Sequence, residues 1–444
     1  MVLENKSTCD VLPWDDNAAT PAVSTGDADR GCWHPKTFDK AIFIIIDALR
    51  YDFTVPFRPA AEGDRPHLFH DKIPVLYETA VQSPNKAFLR PFIADPPTTT
   101  LQRLKGLTTG TLPTFVDAGS NFAGTAIDED NIVAQLRAAG KKLVHLGDDT
   151  WHALFPDYFD PNLTRPFDSF NVWDLHTVDD GVNTHLFPLL HPDNATKWDV
   201  IFGHYLGVDH AGHRYGPDHT AMAAKLQQMD QVIRDLIDRI DDNTLLIVMG
   251  DHGMDSKGDH GGESDDEVEA ALWMYSKKGV FGRTHPDLVT PPQTAKEHAI
   301  PQIDIVPTLS LLLGIPIPFN NLGSPIEEAF VGHSGKDWKN LAAVNRLTSA
   351  QIKRYQHQYA IARGMSDDQT SGPLSLWSQA ELQWNALGKQ GSNDQLRAAY
   401  DAYREYQRRT LNVCRGLWAR FDIPSMLEGV LLLFGGLLIL IFYA

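Results

Sequence analysis

The segment AIFIIIDALR occupies Ala41–Arg50 of this 444-residue chain. Its first six residues are apolar and mostly β-branched, which is the pattern of a strand buried on both faces. Strands of this kind belong to parallel sheets that are covered by helices on both sides. Asp47 follows the strand immediately, so the stretch predicts a buried parallel strand with a carboxylate at its carboxyl end.

The same pattern recurs along the chain and predicts the fold class. Helical spacing separates the apolar runs: one helix is expected to begin near Thr125, and another contains apolar residues from Met222 to Ile240. This alternation predicts an α/β fold with a doubly wound, mostly parallel sheet flanked by helices, in one catalytic domain spanning residues 41–332. The further predicted strands are Lys142–Leu146, Val200–Leu206 and Leu245–Met249.

The composition is that of an acidic globular protein. Apolar residues make up 43% and charged residues 22%, which excludes a disordered or fibrous chain. The formal net charge of −18 makes the surface a poor partner for nucleic acid, so none is expected to bind. The 3 cysteines exclude a disulfide-rich scaffold and a Cys-ligated zinc finger.

Residues 1–40 are expected to form an N-terminal luminal arm. Cys9 and Cys32 could close a small loop there in an oxidising lumen, although two free thiols are the alternative. The first ten residues lack the apolar region of a signal peptide. Sequons at Asn5, Asn162 and Asn194 permit glycosylation if the chain is luminal.

The C-terminal part predicts helices that lead to a membrane. Residues 333–422 are polar and helical in period, with an apolar stripe through Leu396, Tyr400, Tyr403 and Tyr406. Residues 424–444 predict a transmembrane helix, because Gly429–Ala444 carries no charge and approaches the ~20 residues that span a bilayer. The alternative is a buried core helix. We expect this span to be the first of several in a longer parent protein, of which the chain is a fragment or a short gene version.

Acidic and histidine side chains follow the predicted strands, where ligands bind in doubly wound sheets. Oxygen and nitrogen ligands without thiolates suit catalytic Zn²⁺, and Mn²⁺ would accept them too. Two such metals clamp the attacking and leaving oxygens of a phosphoryl displacement. The alternative is an ordinary salt-bridged acidic cleft. The candidate ligands are Asp47, Asp209, His213, Asp251, His252 and His260.

A loop that leads into a predicted helix offers a hydroxyl nucleophile. Pro96–Gly110 reads PPTTTLQRLKGLTTG, and a metal would make the alkoxide of one threonine accessible at neutral pH. A helix cap is the alternative role for these threonines. We also expect Arg103 to stabilise a phosphate, and Asp148 and Asp149 to contact the substrate or to cap a loop.

Together these motifs resemble the alkaline phosphatase superfamily, and within it the GPI ethanolamine phosphate transferases, most closely the type 3 members. The resemblance extends over nearly the whole chain. The segments that carry it are FDKAIFIIIDALRYDF, PPTTTLQRLKGLTTGTLPTF, HYLGVDHAGHRYGP, GDHGMDSKGDHGGES and IPQIDIVPTLSLLLGIPIP.

The resemblance also implies residue roles. One metal would be held by Asp47, Thr100, Asp251 and His252, with Thr100 as the nucleophile, although Thr98 and Thr99 leave this register open. The other metal would be held by Asp209, His213 and His260. Related phosphodiesterases have Asn where Arg103 stands, so the phosphate contact of Arg103 is a hypothesis and not a family role.

The implied activity is transfer of phosphoethanolamine from phosphatidylethanolamine to the third mannose of the GPI precursor lipid, in the lumen at the endoplasmic reticulum membrane. Two divalent cations and a small multi-pass partner subunit would take part. A membrane-anchored nucleotide pyrophosphatase/phosphodiesterase is the alternative enzyme, and a catalytically dead fragment that acts as a scaffold is the non-enzyme alternative. A sulfatase is excluded, because the sequence around Thr100 lacks the required Cys/Ser-x-Pro-x-Arg context.

Overall fold

The computed structural model describes residues 3–14, 31–59, 61–113, 126–364, 371–387, 391–418 and 423–443. Their centre is an eight-stranded sheet in the order β4-β3-β5-β1-β6-β7-β2-β8. The strands are β1 Lys40–Ile46, β2 Ala87–Ile93, β3 Leu143–Asp148, β4 Arg165–Phe167, β5 Val200–Tyr205, β6 Thr244–Met249, β7 Glu269–Tyr275 and β8 Ile300–Pro301.

Neighbouring strands are parallel throughout the sheet except where β7 pairs with β6 and β2. In the centre, Ile46 of β1 lies opposite Tyr205 of β5, and Ile45 lies opposite Met249 of β6. The carboxyl ends of these three strands therefore coincide. The predicted class, a doubly wound and mostly parallel α/β fold, is confirmed.

Helices cover both faces of the sheet. They are α1 Val75–Gln82, α2 Thr100–Thr109, α3 Ile132–Ala138, α4 Thr150–Leu154, α5 Thr177–Leu189, α6 Gly207–Tyr215, α7 Thr220–Arg239, α8 Asp265–Val268, α9 Ile305–Leu313, α10 Trp338–Arg363, α11 Ser371–Asn385, α12 Asn393–Trp418 and α13 Ile423–Tyr443. Short 3-10 turns at residues 51–53, 192–194, 286–288, 302–304 and 327–329 complete the described elements.

Two apolar cores lie on opposite sides of the sheet, and alternate residues of β1 contribute to each. Ala41, Phe43 and Ile45 pack with apolar side chains of α2, α3 and α9. Ile42 and Ile44 pack with apolar side chains of α1, α5 and α7. Because both faces of the sheet are buried, the residues that point to either face must be apolar. The strand is therefore a continuous apolar run.

The start of helix α3 and the strands β2, β4, β7 and β8 differ from the sequence-based expectation. The helix expected near Thr125 begins at Ile132, because the side chain of Asn131 accepts a hydrogen bond from the Ala134 amide and caps it. Thr125 itself lies outside the described residues. Strand β2 was missed because Arg90 and Pro91 interrupt its apolar run; Arg90 is buried there, and its Nε donates to Glu328 over 2.6 Å.

The C-terminal helices pack on the domain. Helix α12 contacts α10 and α11, and its predicted apolar stripe is buried at Tyr403 and Tyr406. Side chains of α10 also join one of the two cores. Residues Met426–Tyr443 of α13 are long and apolar enough to cross a membrane, and none of them is buried. The domain boundaries that the sequence predicts at residues 40, 332 and 422 stay predictions.

A disulfide closes a loop within the N-terminal arm, and a backbone hydrogen bond joins this loop to the domain. Cys9 and Cys32 form a disulfide with their Cα atoms 5.2 Å apart, and the amide of Cys32 donates to the carbonyl of Gly314. The sequon residues Asn5 and Asn162 are exposed, and Asn194 is half-buried. Glycosylation at the three positions stays a prediction.

A buried ion pair determines where helix α6 begins. Asp179 of α5 accepts hydrogen bonds from the amides of Leu206 and Gly207 at 3.1 and 3.0 Å. Its other carboxylate oxygen accepts from Lys225 Nζ of α7 at 3.1 Å. A Cβ atom on Gly207 would lie 2.2 Å from that oxygen, so the close approach requires glycine. Helix α6 is therefore fixed at its first turn by side chains from two other helices.

We predict that Gly207→Ala lowers the free energy of unfolding by about 1–3 kcal/mol, because the added methyl group must displace the Asp179–Lys225 pair. Chemical denaturation followed by tryptophan fluorescence measures the change. Gly416→Ala is the matched control, since a Cβ at this α12 position meets no atom within 4 Å and alanine favours a helix. Equal stability of the two variants would contradict the prediction.

Candidate metal centre

The candidate ligands lie at the carboxyl ends of the central strands, because parallel strands end at the same edge of a sheet. Asp47 follows β1, and Asp251 and His252 follow β6. Asp209 and His213 stand four residues apart on α6, which follows β5, so they share one face of that helix. His260 is the last predicted ligand. It lies in the long loop between β6 and β7, which folds back towards the sheet.

Asp47, Asp251 and His252 form the first group, and the three are buried. The Nε2 atom of His252 lies 3.3 Å from Asp47 Oδ1 and 3.3 Å from Asp251 Oδ2. Thr100, the first residue of α2, has its Oγ1 atom 3.4 Å from both Asp47 Oδ2 and His252 Nε2. One hydroxyl thus lies against a carboxylate and an imidazole of this group.

Asp209, His213 and His260 form the second group. The Oδ1 atom of Asp209 lies 3.4 Å from His213 Nε2 and 3.3 Å from His260 Nε2, and the two imidazole nitrogens are 3.1 Å apart. The rings of His252 and His260 stack with their centroids 3.9 Å apart. The structure therefore brings all seven predicted side chains together as two adjoining groups.

Backbone carbonyls orient two of the imidazoles. Nδ1 of His252 lies 2.8 Å from the carbonyl of Gly253, and Nδ1 of His260 lies 2.8 Å from the carbonyl of Thr98. In each ring the Nδ1–H donates to the backbone, which leaves Nε2 directed at the carboxylates. Metal-binding histidines are commonly held in this way by the nitrogen that does not bind the metal.

The electrostatics of the centre fit divalent cations. Burial raises the pKa of Asp47 well above its ordinary value, and the nearby Asp251 and Asp209 raise it further. Asp47 Oδ1, Asp209 Oδ1 and Asp251 Oδ2 are buried without a hydrogen-bond partner among the described residues. An unsatisfied buried polar group costs about 1–3 kcal/mol, and a cation shared by these oxygens would remove that cost.

A protonated histidine compensates part of the negative charge when the protein is considered without cations. Burial alone would lower the pKa of His260, but the combined attraction of the Asp209 and Asp47 carboxylates outweighs this and raises the pKa to about 10. Burial alone would likewise raise the pKa of Asp209, yet His260 brings it down to about 2. Burial lowers the pKa of His252 to about 4, so this ring is neutral.

The sequence analysis missed His204, which contacts the centre from β5. Trp151 Nε1 donates to His204 Nδ1 over 3.0 Å, so the other ring nitrogen carries the proton and donates to Asp47 Oδ2 over 3.1 Å. Asp148 lies 3.6 Å from His204 Nδ1. The only signal in the sequence is an imidazole within an otherwise apolar strand, VIFGHY.

The predicted substrate contacts occupy different environments. Arg103 is 1% exposed, and its Nε and Nη2 atoms have no hydrogen-bond partner among the described residues. Burial lowers the pKa of Arg103 to about 10, although Asp95 and Asp251 oppose this effect. Asp149 accepts a hydrogen bond from Ser169 Oγ at 2.8 Å. A contact of Arg103, Asp148 or Asp149 with substrate stays a prediction.

The register of the threonine loop favours Thr100. The Thr98 hydroxyl donates to the carbonyl of Gly262 and accepts from the amide of Gly261, both over 2.9 Å. Thr99 precedes α2 as its N-cap residue, and its hydroxyl is buried without a partner in the described part of the chain. Of the three hydroxyls, that of Thr100 is the one in contact with candidate ligands.

Comparison with known proteins identifies relatives over nearly the whole chain. The sequence profile of the family described as type I phosphodiesterase / nucleotide pyrophosphatase matches residues 82–299. The chain is 44% identical to GPI ethanolamine phosphate transferase 3 of Schizosaccharomyces pombe over 435 residues, which are 98% of this chain and 43% of the relative.

Two further relatives show the same relationship. The catalytic subunit of the Homo sapiens GPI ethanolamine phosphate transferase 3 is 40% identical over 446 residues, with 97% of this chain and 39% of the relative covered. A GPI ethanolamine phosphate transferase 2 of Yarrowia lipolytica is 38% identical over 331 residues, with 72% and 36% covered. The chain spans about two fifths of the length of these relatives. By sequence similarity, it belongs to the GPI ethanolamine phosphate transferase family, among the type 3 members.

Proposed function

We propose that this chain carries the catalytic site for transfer of phosphoethanolamine from phosphatidylethanolamine to the third mannose of the GPI-anchor precursor. The observation that supports this most directly is the position of Thr100. Its hydroxyl lies 3.4 Å from both Asp47 and His252, beside the second group of Asp209, His213 and His260. The similarity to type 3 transferases supports the choice of donor and acceptor.

The proposed ligand sets are those of two divalent cations, with Zn²⁺ as the first choice and Mn²⁺ as the second. Asp47, Asp251, His252 and the Thr100 hydroxyl would hold one cation. The second group would hold the other. When bound, the cations would lower the pKa of hydroxyl groups and offset the negative charge of phosphate oxygens.

In the first half-reaction, Thr100 acts as the nucleophile. Its Oγ1 forms a bond to the phosphorus of the donor phosphodiester, and the bond from phosphorus to the diacylglycerol oxygen breaks. The proton lost by Thr100 balances the one that diacylglycerol gains. Thr100 is the first residue of a ten-residue helix, so its N-terminal amides favour the phosphate oxygens.

In the second half-reaction, the mannose hydroxyl oxygen bonds to the same phosphorus and the bond to Thr100 breaks, so that the threonine recovers a proton. The order is ping-pong, because diacylglycerol leaves before the acceptor reacts. His204 would hold Asp47 in place during both steps through its 3.1 Å contact. Arg103, Asp148 and Asp149 stay candidate substrate contacts.

The proposed location is the endoplasmic reticulum membrane, with the catalytic domain in the lumen. The disulfide between Cys9 and Cys32 supports an oxidising compartment, and the exposed Asn5 and Asn162 suit luminal glycosylation. Helix α13 would anchor the domain next to its lipid substrates. A small multi-pass partner subunit is also proposed, by family resemblance.

Nucleotide phosphodiester hydrolysis is the second candidate function, and the family profile over residues 82–299 favours it. The same site would then pass the phosphoryl group to water. Hydrolysis of a nitrophenyl nucleotide ester faster than any phosphoethanolamine transfer would support this alternative. A purified chain without bound divalent metal would instead support a scaffold role.

We predict that Thr100→Ala lowers phosphoethanolamine transfer by on the order of 10³-fold, because the covalent step loses its nucleophile. Transfer from labelled phosphatidylethanolamine to a GPI precursor measures the effect in the full chain with its membrane segments. Thr99→Ala is the control, as its hydroxyl contacts neither group, and it should retain most activity. Loss of transfer in Thr99→Ala, with transfer retained in Thr100→Ala, would assign the nucleophile to Thr99.

We predict that Asp209→Ala and His213→Ala each release about half of the bound metal, because each removes a ligand of the second group alone. Elemental analysis of the purified chain gives the stoichiometry. The exposed Asp193 provides a matched control, and Asp193→Ala should keep the full metal content. Full stoichiometry in both ligand variants would contradict the division into two groups.

We predict that His204→Ala weakens metal binding by the first group by about 10–100-fold, because Asp47 loses the hydrogen bond that orients it. Competition with a chelator measures the two affinities separately. His152→Ala, at an exposed position of α4, is the control. A weaker second site with an unchanged first site would show that His204 acts elsewhere.

A further inference from the structure

An exposed aromatic loop lies beside the metal centre. We define it as residues 168–176, between β4 and α5. Phe170 is 79% exposed and Trp173 is 70% exposed, although large aromatic side chains usually lie in a protein's interior. Neither ring belongs to the two apolar cores. No step of the proposed reaction uses them so far.

The loop is held by side chains of helix α6, which also carries two candidate metal ligands. His210 Nδ1 donates to the carbonyl of Asp174 over 2.8 Å. Arg214 Nη1 donates to the carbonyl of Trp173 over 3.0 Å, and its guanidinium lies 4.9 Å from the centre of the Trp173 ring. Asp209 is the neighbour of His210 in sequence, so the loop is joined to the metal centre through adjacent residues.

Further hydrogen bonds fix the backbone of the loop. Ser169 Oγ donates to Asp149 Oδ1 over 2.8 Å, next to β3. The Asp174 carboxylate accepts from the amides of His176 and Thr177 at 2.9 and 3.0 Å. The aromatic rings are thus exposed on a preorganised loop, and an ordered contact surface binds a ligand at a smaller entropic cost.

We propose that Phe170 and Trp173 form a platform that binds the mannose residues of the acceptor glycan. A flat aromatic face packs against the C–H face of a pyranose ring, whose hydrogens carry partial positive charge opposite the negative face of the aromatic ring. Asp168 lies within the loop and Asp149 beneath it, where their carboxylates can accept hydrogen bonds from sugar hydroxyls. The platform rests on the proposed function, because that function supplies a mannose acceptor.

The position of the loop favours a glycan over a membrane surface. The loop follows β4 at one edge of the sheet, whereas Arg415 near the end of α12 contacts Asp95 Oδ1 over 2.9 Å next to β2, near the other edge. Helix α13 follows α12 in the chain. Six strand spacings of ~4.8 Å separate β4 from β2 by roughly 29 Å. The carboxylates of the loop also differ from the Lys/Arg-rich polar faces of interfacial membrane segments.

The test compares acceptor binding in variants of the full chain in detergent. Trp173→Ala and Phe170→Ala should each raise the KM for the mannose acceptor about tenfold more than the KM for phosphatidylethanolamine. Trp173→Phe should restore most of the difference, because it keeps an aromatic face. Leu382→Ala is the matched control, since Leu382 is 72% exposed on α11. Equal acceptor KM values in wild type and the alanine variants would overturn the platform.

A direct binding measurement separates the platform from the proposed reaction. Saturation-transfer NMR with a soluble oligomannoside should show binding to the wild type and about tenfold weaker binding to Trp173→Ala. Oligomannoside binding that depends on Trp173, in a chain without transfer activity, would reject the reaction and keep the platform. Transfer activity with oligomannoside binding that is independent of both rings would reject the platform and keep the reaction.

The membrane alternative is tested in the same chain. A fluorophore that reports polarity is attached to a Trp173→Cys variant reconstituted into phosphatidylcholine–phosphatidylethanolamine vesicles. Under the glycan proposal its emission is unchanged by the vesicles. A blue shift caused by the vesicles alone would overturn the proposal, since it would place position 173 in the bilayer interface.

Discussion

Repulsion among buried carboxylates is the constraint on which the centre depends. Asp47, Asp209 and Asp251 meet at one edge of the sheet, and each has a buried oxygen without a hydrogen-bond partner among the described residues. Burial and the neighbouring charges raise the pKa of Asp47, and His260 compensates chiefly Asp209. A cation that binds the folded chain and not the unfolded one would therefore stabilise the fold as well as serve the reaction.

The surrounding fold supplies the rigidity that such an arrangement requires. Both faces of the sheet are buried, so the strands that carry the ligands cannot shift in register without exposing apolar residues. Backbone carbonyls orient His252 and His260, and His204 holds Asp47 from the side. Asp179 of α5 fixes the first turn of α6, the helix that carries Asp209 and His213 of the second group. Residues far apart in sequence thus hold the candidate metal ligands in position.

The two sides of the metal centre, towards β2 and towards β4, face different surroundings. Near β2, Arg415 joins the loop before Thr100 to helix α12, after which the membrane-length helix follows. At β4, the aromatic loop presents Phe170 and Trp173 to solvent. The metal centre lies between these two regions. In the proposed reaction this arrangement separates a lipid side from a glycan side, with the nucleophile between them.

The sequence by itself determined the fold class and the central strands, and it predicted the six carboxylate and histidine residues of the candidate centre, because buried parallel strands read as apolar runs and their polar ends are conspicuous. It missed β2, β4, β7 and β8. In β2 a buried Arg90 is paired with Glu328 from the distant end of the domain. It also missed His204, whose role depends on Asp47 of a neighbouring strand. Only the tertiary structure decided that Thr100 contacts the ligands, since three adjacent hydroxyls look alike until the loop is folded against the sheet. Local patterns record burial and periodicity, whereas contacts between distant segments arise only from packing.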